Sequence, residues 1–134
     1  MEFIKYDNIK DFTDDNLDLL LEKEWLNNLM VGNCLDGLKN GAEGWTLAKV
    51  INENNNTELI MLHRRPWNLL LYSPTNNEAD KLYEFAAQEI YKIDNNLNGV
   101  NAEKILANKF AKYYSVLANK ETKSNFEMRI LLLE

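Results

Sequence analysis

One cysteine, one histidine, two prolines and five glycines are a thin supply of constraining residues for a chain of 134. A lone Cys34 cannot close an internal disulfide, and its thiol reads as a small packing group. With His63 as the only imidazole, no Cys/His spacing supports a zinc site, so no metal is expected. No apolar run approaches the roughly 20 residues that cross a bilayer. The opening "MEFIKYDN" carries acid at once and lacks the apolar centre of a signal peptide. The expectation is a cytoplasmic protein with no membrane partner.

Positive charge is also short. Residues 1–60 hold twelve acidic and five basic side chains, a net of −7, and residues 61–134 hold nine and ten, a net of +1. Nucleic acid requires clustered Lys and Arg, which an acidic first half does not offer, so no nucleic-acid partner is expected. Lys104, Lys109, Lys112 and Lys120 read as the solvated face of a helix. An apolar share of 46% with three tryptophans is too high for disorder and is enough for one proper core. A single α/β domain over 1–134 is expected.

Hydrophobic spacing then supplies an order of elements. "EFIKY" reads as a short strand. Thr13 reads as a helix N-cap, with Phe12 and Leu17 placed as a hydrophobic staple. Trp25, Leu26, Leu29, Met30, Leu35 and Leu38 continue at helical spacing, as a second helix or one bent near Gly32. "GWTLAKVI", "TELIMLH" and "NLLLYS" are three strands, the last apolar throughout and so buried on both faces. A helix with Leu82, Phe85, Ala86 and Ile90 on one face follows, then a very short strand near Gly99. Asn101 is the expected N-cap of the last helix, with Leu106, Phe110, Tyr113 and Leu117 as its inner stripe, and "NFEMRILLLE" closes as a strand. The fold class is α/β (α+β), a mixed, mostly antiparallel sheet flanked by about four helices.

"NLLLYS" at Asn68–Ser73, "GVNAEKILANKFAKYY" at Gly99–Tyr114 and "LEKEWLNNLMVGNCL" at Leu21–Leu35 resemble the amino-terminal domain of bacterial two-domain GNAT-family N-acetyltransferases. The resemblance spans nearly the whole chain and implies a GNAT-like fold. For the full-length protein it implies acetyl-CoA-dependent transfer of an acetyl group to an amine. The partner it implies is a carboxy-terminal GNAT domain of the same protein, which carries the cofactor and begins where this chain ends. A working GNAT domain needs a Gln/Arg-x-x-Gly-x-Gly/Ala loop after its fourth strand, where backbone N–H groups at a helix N-terminus hold pyrophosphate. Here that segment is "SPTNNEADKL", free of glycine and bearing Glu78 and Asp80. No cofactor-binding residues are therefore assigned, no acetyl-CoA is expected on this chain, and the chain alone is expected to be inactive.

The densest cluster of chemical groups is "HRRPWNLLLYSP", His63 to Pro74. It reads either as a hairpin link whose Trp67 caps the core, or as the edge of a cleft facing the second domain. In the second case His63, Arg64, Arg65 and Trp67 are substrate or domain-interface residues, with an arginine pairing an acidic group. Tyr72, at a strand end, is the candidate general acid; no other catalytic residue is identifiable. A different class of function is a stand-alone interaction module, forming a homodimer through acidic helices or a bare edge at "RILLLE".

Overall fold

The computed structural model describes residues 1–124 and 129–133. Its elements run β1 (Glu2–Lys5), α1 (Ile9–Leu21), α2 (Glu24–Asn40), β2 (Thr46–Ile51), β3 (Thr57–His63), β4 (Leu69–Tyr72), α3 (Asp80–Ile93), β5 (Gly99–Asn101), α4 (Lys104–Ala118), β6 (Glu121–Ser124) and β7 (Arg129–Leu133). Among the described residues these strands form one sheet in the order β1-β2-β3-β4-β5-β7-β6. Every pairing is antiparallel except that of β4 with β5. The mixed, mostly antiparallel sheet with four helices is the architecture expected from the hydrophobic pattern. None of the helices among the described residues is long and apolar enough to cross a membrane.

Alternation along the strands divides the core into two layers. Leu69 and Leu71 of β4 join Ala48, Val50, Leu59 and Met61 beneath α3 and α4. Leu70 and Tyr72 point the other way, onto Leu47, Ile60 and Leu62 beneath α1 and α2. All four β4 residues are buried, because helices cover both faces at this point of the sheet. The close seat of α2 needs Gly37, since a Cβ there would lie 3.0 Å from Ile9 and 3.1 Å from the Trp45 ring.

Several local expectations are corrected. The N-cap of α1 is Asn8, with extended backbone and its Oδ1 accepting from the Asp11 N–H, so the helix starts earlier and Thr13 lies buried within it. Of the two readings of this region, two helices is the one found, with the break at Glu22–Lys23 and Gly32 inside α2. Asn101 caps no helix; its backbone is drawn into the ladder between β4 and β7, and α4 starts only after Glu103. The inner stripe of α4 is Leu106, Ala107, Phe110, Ala111 and Tyr114, whereas Leu117 is exposed. Lys120 lies beyond that helix. "ETKS" forms β6, a strand without apolar alternation that the sequence pattern could not mark. As a result β7 pairs on both sides, with β5 and β6, and leaves no bare edge among the described residues; residues 125–128 and 134 of the expected closing strand lie outside them.

Truncation of β4 tests how far the two layers depend on this strand. Leu70→Ala and Leu71→Ala are each expected to cost about 2–5 kcal/mol in chemical denaturation, one by emptying the α2 layer and the other the α4 layer. A loss below about 1 kcal/mol for either would show that the strand is not central.

Candidate functional site

The β4–β5 ladder is short. Leu69 pairs Val100 and Leu70 pairs Asn101, and there the register ends, because the chain turns at Ala102 into α4. Leu71 and Tyr72 therefore have no β5 partner on that side. A cavity of about 230 Å³ opens at the gap. Its lining includes residues from both faces of β4 together with Asn101, Glu103 and Leu106, and α2 supplies Trp25 and Leu29. A second hollow of about 580 Å³ continues along β4 in the opposite direction, sharing Leu29, Leu70 and Asn101, with Trp67, Arg64, Asn33 and Asn68 on its walls. Together they form a groove between α2 and the β4–β5 junction.

The rim of this groove is apolar and open. Trp25 is 76% exposed, Trp67 66% and Leu29 55%, although helical spacing marks Trp25 and Leu29 as core; for Trp67, expected either to cap the core or to edge a cleft, the exposure excludes the cap. The misreading has a simple origin: α2 is apolar on nearly all sides, so periodicity could not say which side faces the sheet. The face that does so is Asn27, Met30, Cys34 and Gly37.

Tyr72 lies in the first hollow and is almost fully buried. Burial pushes its phenol pKa up, the Asn27 side chain pulls it down, and the charges of Glu22 and Glu103 add to the rise. The hydroxyl is thus protonated at neutral pH and able to donate. Indole at the rim, a phenol at the floor and carboxylates nearby suit a cation better than an anion.

The hairpin link does not present its charged residues as one cluster. Alternation sends Arg64 toward α2 and His63 toward the end of α3. The Arg64 guanidinium stacks over Trp45, 4.8 Å from the ring centre. Its Nη1 donates to Asn33 Oδ1 at 3.0 Å and to Asp36 Oδ2 at 2.9 Å. Asn40 donates to Asp36 and, with Arg64, holds that carboxyl below its usual range. Arg65 donates from Nε to Asp94 Oδ2 at 3.0 Å and from Nη1 to the Gly44 carbonyl. Both arginines are therefore held by groups of this chain, and neither points a free charge into the groove. Asp94, in turn, had no signal in the sequence; it ends α3 some thirty positions from the link that it grips.

His63 is buried against the same carboxylate. Its Nε2 lies 3.0 Å from the Trp67 carbonyl in hydrogen-bonding geometry. Its Nδ1 lies 2.9 Å from Asp94 Oδ2 but off the direction that a hydrogen bond requires, so this second contact is electrostatic only. Burial lowers the His63 pKa below its ordinary 6.5, Asp94 opposes that shift and Arg65 reinforces it.

The segment after β4 is closed upon itself. The Asn76 N–H donates to the Ser73 carbonyl at 3.1 Å, the Asn77 N–H to Ser73 Oγ at 3.0 Å, and the Ala79 N–H to Asn77 Oδ1 at 2.8 Å. Beneath the loop the buried Glu58 side chain accepts from Asn77 Nδ2 and, at 3.3 Å, from Thr75 Oγ1. Asp80, in the first turn of α3, pairs with Lys109 at 2.6 Å. Among the described residues no three His, Cys, Asp or Glu side chains converge as a metal site would need. No protein-family model, curated protein or solved structure matches the chain.

Two outcomes are expected from this geometry. Arg65→Ala leaves the nearly buried Asp94 carboxylate without its hydrogen-bonded cation and should cost about 1–3 kcal/mol in denaturant unfolding. Arg64→Ala, at a half-exposed pair, should cost less. Because the folded chain binds a proton at His63 less readily than the unfolded chain, the stability linked to it is complete above the ordinary pKa and is lost as pH falls below it. Unfolding midpoints at about pH 7.5 and about pH 5.5 should therefore differ more in the parent than in His63→Gln.

Proposed function

We propose that this chain is the amino-terminal, GNAT-like domain of an acetyl-CoA-dependent N-acetyltransferase, and that it serves the acceptor side of the reaction without binding the cofactor. The resemblance of three segments supports the family. So does the order of elements, which is that of the GNAT fold with the last strand joined by β6 into a hairpin. The observation that carries the division of labour is the loop after β4. A phosphate-holding loop must present unengaged N–H groups at a helix N-terminus. The loop at 73–79 has the N–H groups of Asn76, Asn77 and Ala79 already bonded within itself and an acidic side chain beneath it.

In this reading the groove between α2 and the β4–β5 junction faces the amine acceptor or the carboxy-terminal domain. Trp25, Glu103 and Tyr72 provide the cation-accepting end, with Tyr72 as the candidate proton donor. Trp67 and Arg64 form the other end, Arg64 as a wall and not as a free charge. The acetyl group comes from acetyl-CoA held by the second domain, and the location is cytoplasmic.

A second reading is an interaction module without catalysis, which the open apolar rim at Trp25, Leu29 and Trp67 favours. Enzyme assay of the full-length protein separates the two. The acetyltransferase reading expects Tyr72→Phe to lower kcat with the fold retained; an unchanged kcat leaves Tyr72 out of the chemistry. Calorimetric titration of the 134-residue chain with acetyl-CoA at low salt should show no binding at micromolar concentrations. Micromolar binding would overturn the division between the domains.

A further inference from the structure

The link between β3 and β4 carries Trp67 on one side of the sheet and His63 on the other, so one short segment connects the groove wall to the buried end of α3. The Trp67 carbonyl can only accept, so its 3.0 Å hydrogen bond with His63 requires the imidazole proton on Nε2. In the neutral ring Nδ1 is then bare, buried, and 2.9 Å from a carboxylate oxygen. Two electron-rich atoms are held at contact distance there, with no proton on the line between them. Only the Arg65 Nε–H, 3.0 Å from the same Asp94 oxygen, makes the approach tolerable.

We propose that His63 is a proton-operated latch that couples the end of α3, through Asp94, to the Trp67 wall of the groove. A proton taken up at Nδ1 turns the repelling contact into a charge-assisted hydrogen bond while Nε2–H keeps its hold on Trp67. The imidazolium then competes with Arg65 for Asp94 Oδ2, and Arg65, half exposed, retains the Gly44 carbonyl. Asp94 cannot move freely to meet the ring. Its Oδ1 accepts from the Asn96 N–H and its carbonyl from the Tyr114 hydroxyl. The adjustment therefore falls on the link, and with it on Trp67. Asp94 from α3 and Arg65 from the link are the charged groups that act on His63 among the described residues; Asn96 and Asn98 complete the hollow beside it without charge. Burial disfavours the proton, which sets the latch to respond to acid and to stay neutral otherwise. The device does not depend on the acetyltransferase reading.

The single histidine makes the test direct, since one ring gives one set of signals. Long-range proton–nitrogen spectra of the whole chain across the acid range should show the Nε2–H form at neutral pH and one titration below the ordinary histidine pKa. The Trp67 indole signal should move with the same midpoint, and that of Trp25, on α2, should not. Asp94→Asn should lower the midpoint and Arg65→Gln should raise it. If either variant fails to fold, shared titration of His63 and Trp67 in the parent chain decides the matter. A Trp67 signal without the His63 midpoint, or an Nδ1–H ring at neutral pH, would overturn the proposal.

Discussion

Helices cover β4 on both sides, and this double burial organises the rest of the molecule. Leu69 and Leu71 belong to one hydrophobic layer and Leu70 and Tyr72 to the other, so four consecutive residues tie the α1–α2 pair to the α3–α4 pair. Each buried leucine contributes roughly 1.5–3 kcal/mol of transfer free energy, and Leu59–Leu62 of the neighbouring β3 divides between the two layers in the same way. The same strand carries the sheet's sole parallel partner among the described residues. A parallel neighbour arrives by a crossover, here α3, and directly after Asn101 the chain leaves the sheet for α4. The ladder consequently stops after two pairs, and the groove is the space left where it stops.

Electrostatics divides the molecule in a related way. The acidic bias of the first half reaches the groove as Glu22, whose charge acts with that of Glu103 on Tyr72. The arginines that could have offset them are consumed by Asp36 and Asp94. Asparagine does much of the remaining work: side chains at Asn8, Asn77, Asn98 and Asn101 close a cap, a loop, a link and a ladder. Of these only Asn101 carries an expected role in the sequence, as a helix cap, whereas in the fold each one meets a specific backbone or side-chain group.

Legibility followed the range of the interaction. The six longest elements and the double burial of "NLLLY" could be read because periodicity and continuous apolarity are local properties. Helix starts were less readable, since Asn8 and Thr13, like Asn101, are all competent caps and only packing selects among them. The tryptophans misled for the opposite reason. Large apolar side chains at helical spacing usually face a core, and Trp25 and Leu29 instead face a gap created by two strands more than forty residues away.

The sequence by itself determined the class of fold, the buried central strand and the absence of glycine after it, because each of these rests on residue types and spacing along the chain. Tertiary structure alone decided which charges remain available. Arg64 and Arg65 are adjacent in sequence, yet the turn that joins β3 to β4 sends one to α2 and the other to the end of α3, where each meets a carboxylate about thirty positions distant. Pairing at that separation leaves no local pattern, since it depends on how the helices close over the sheet and not on what lies beside the arginines in the chain.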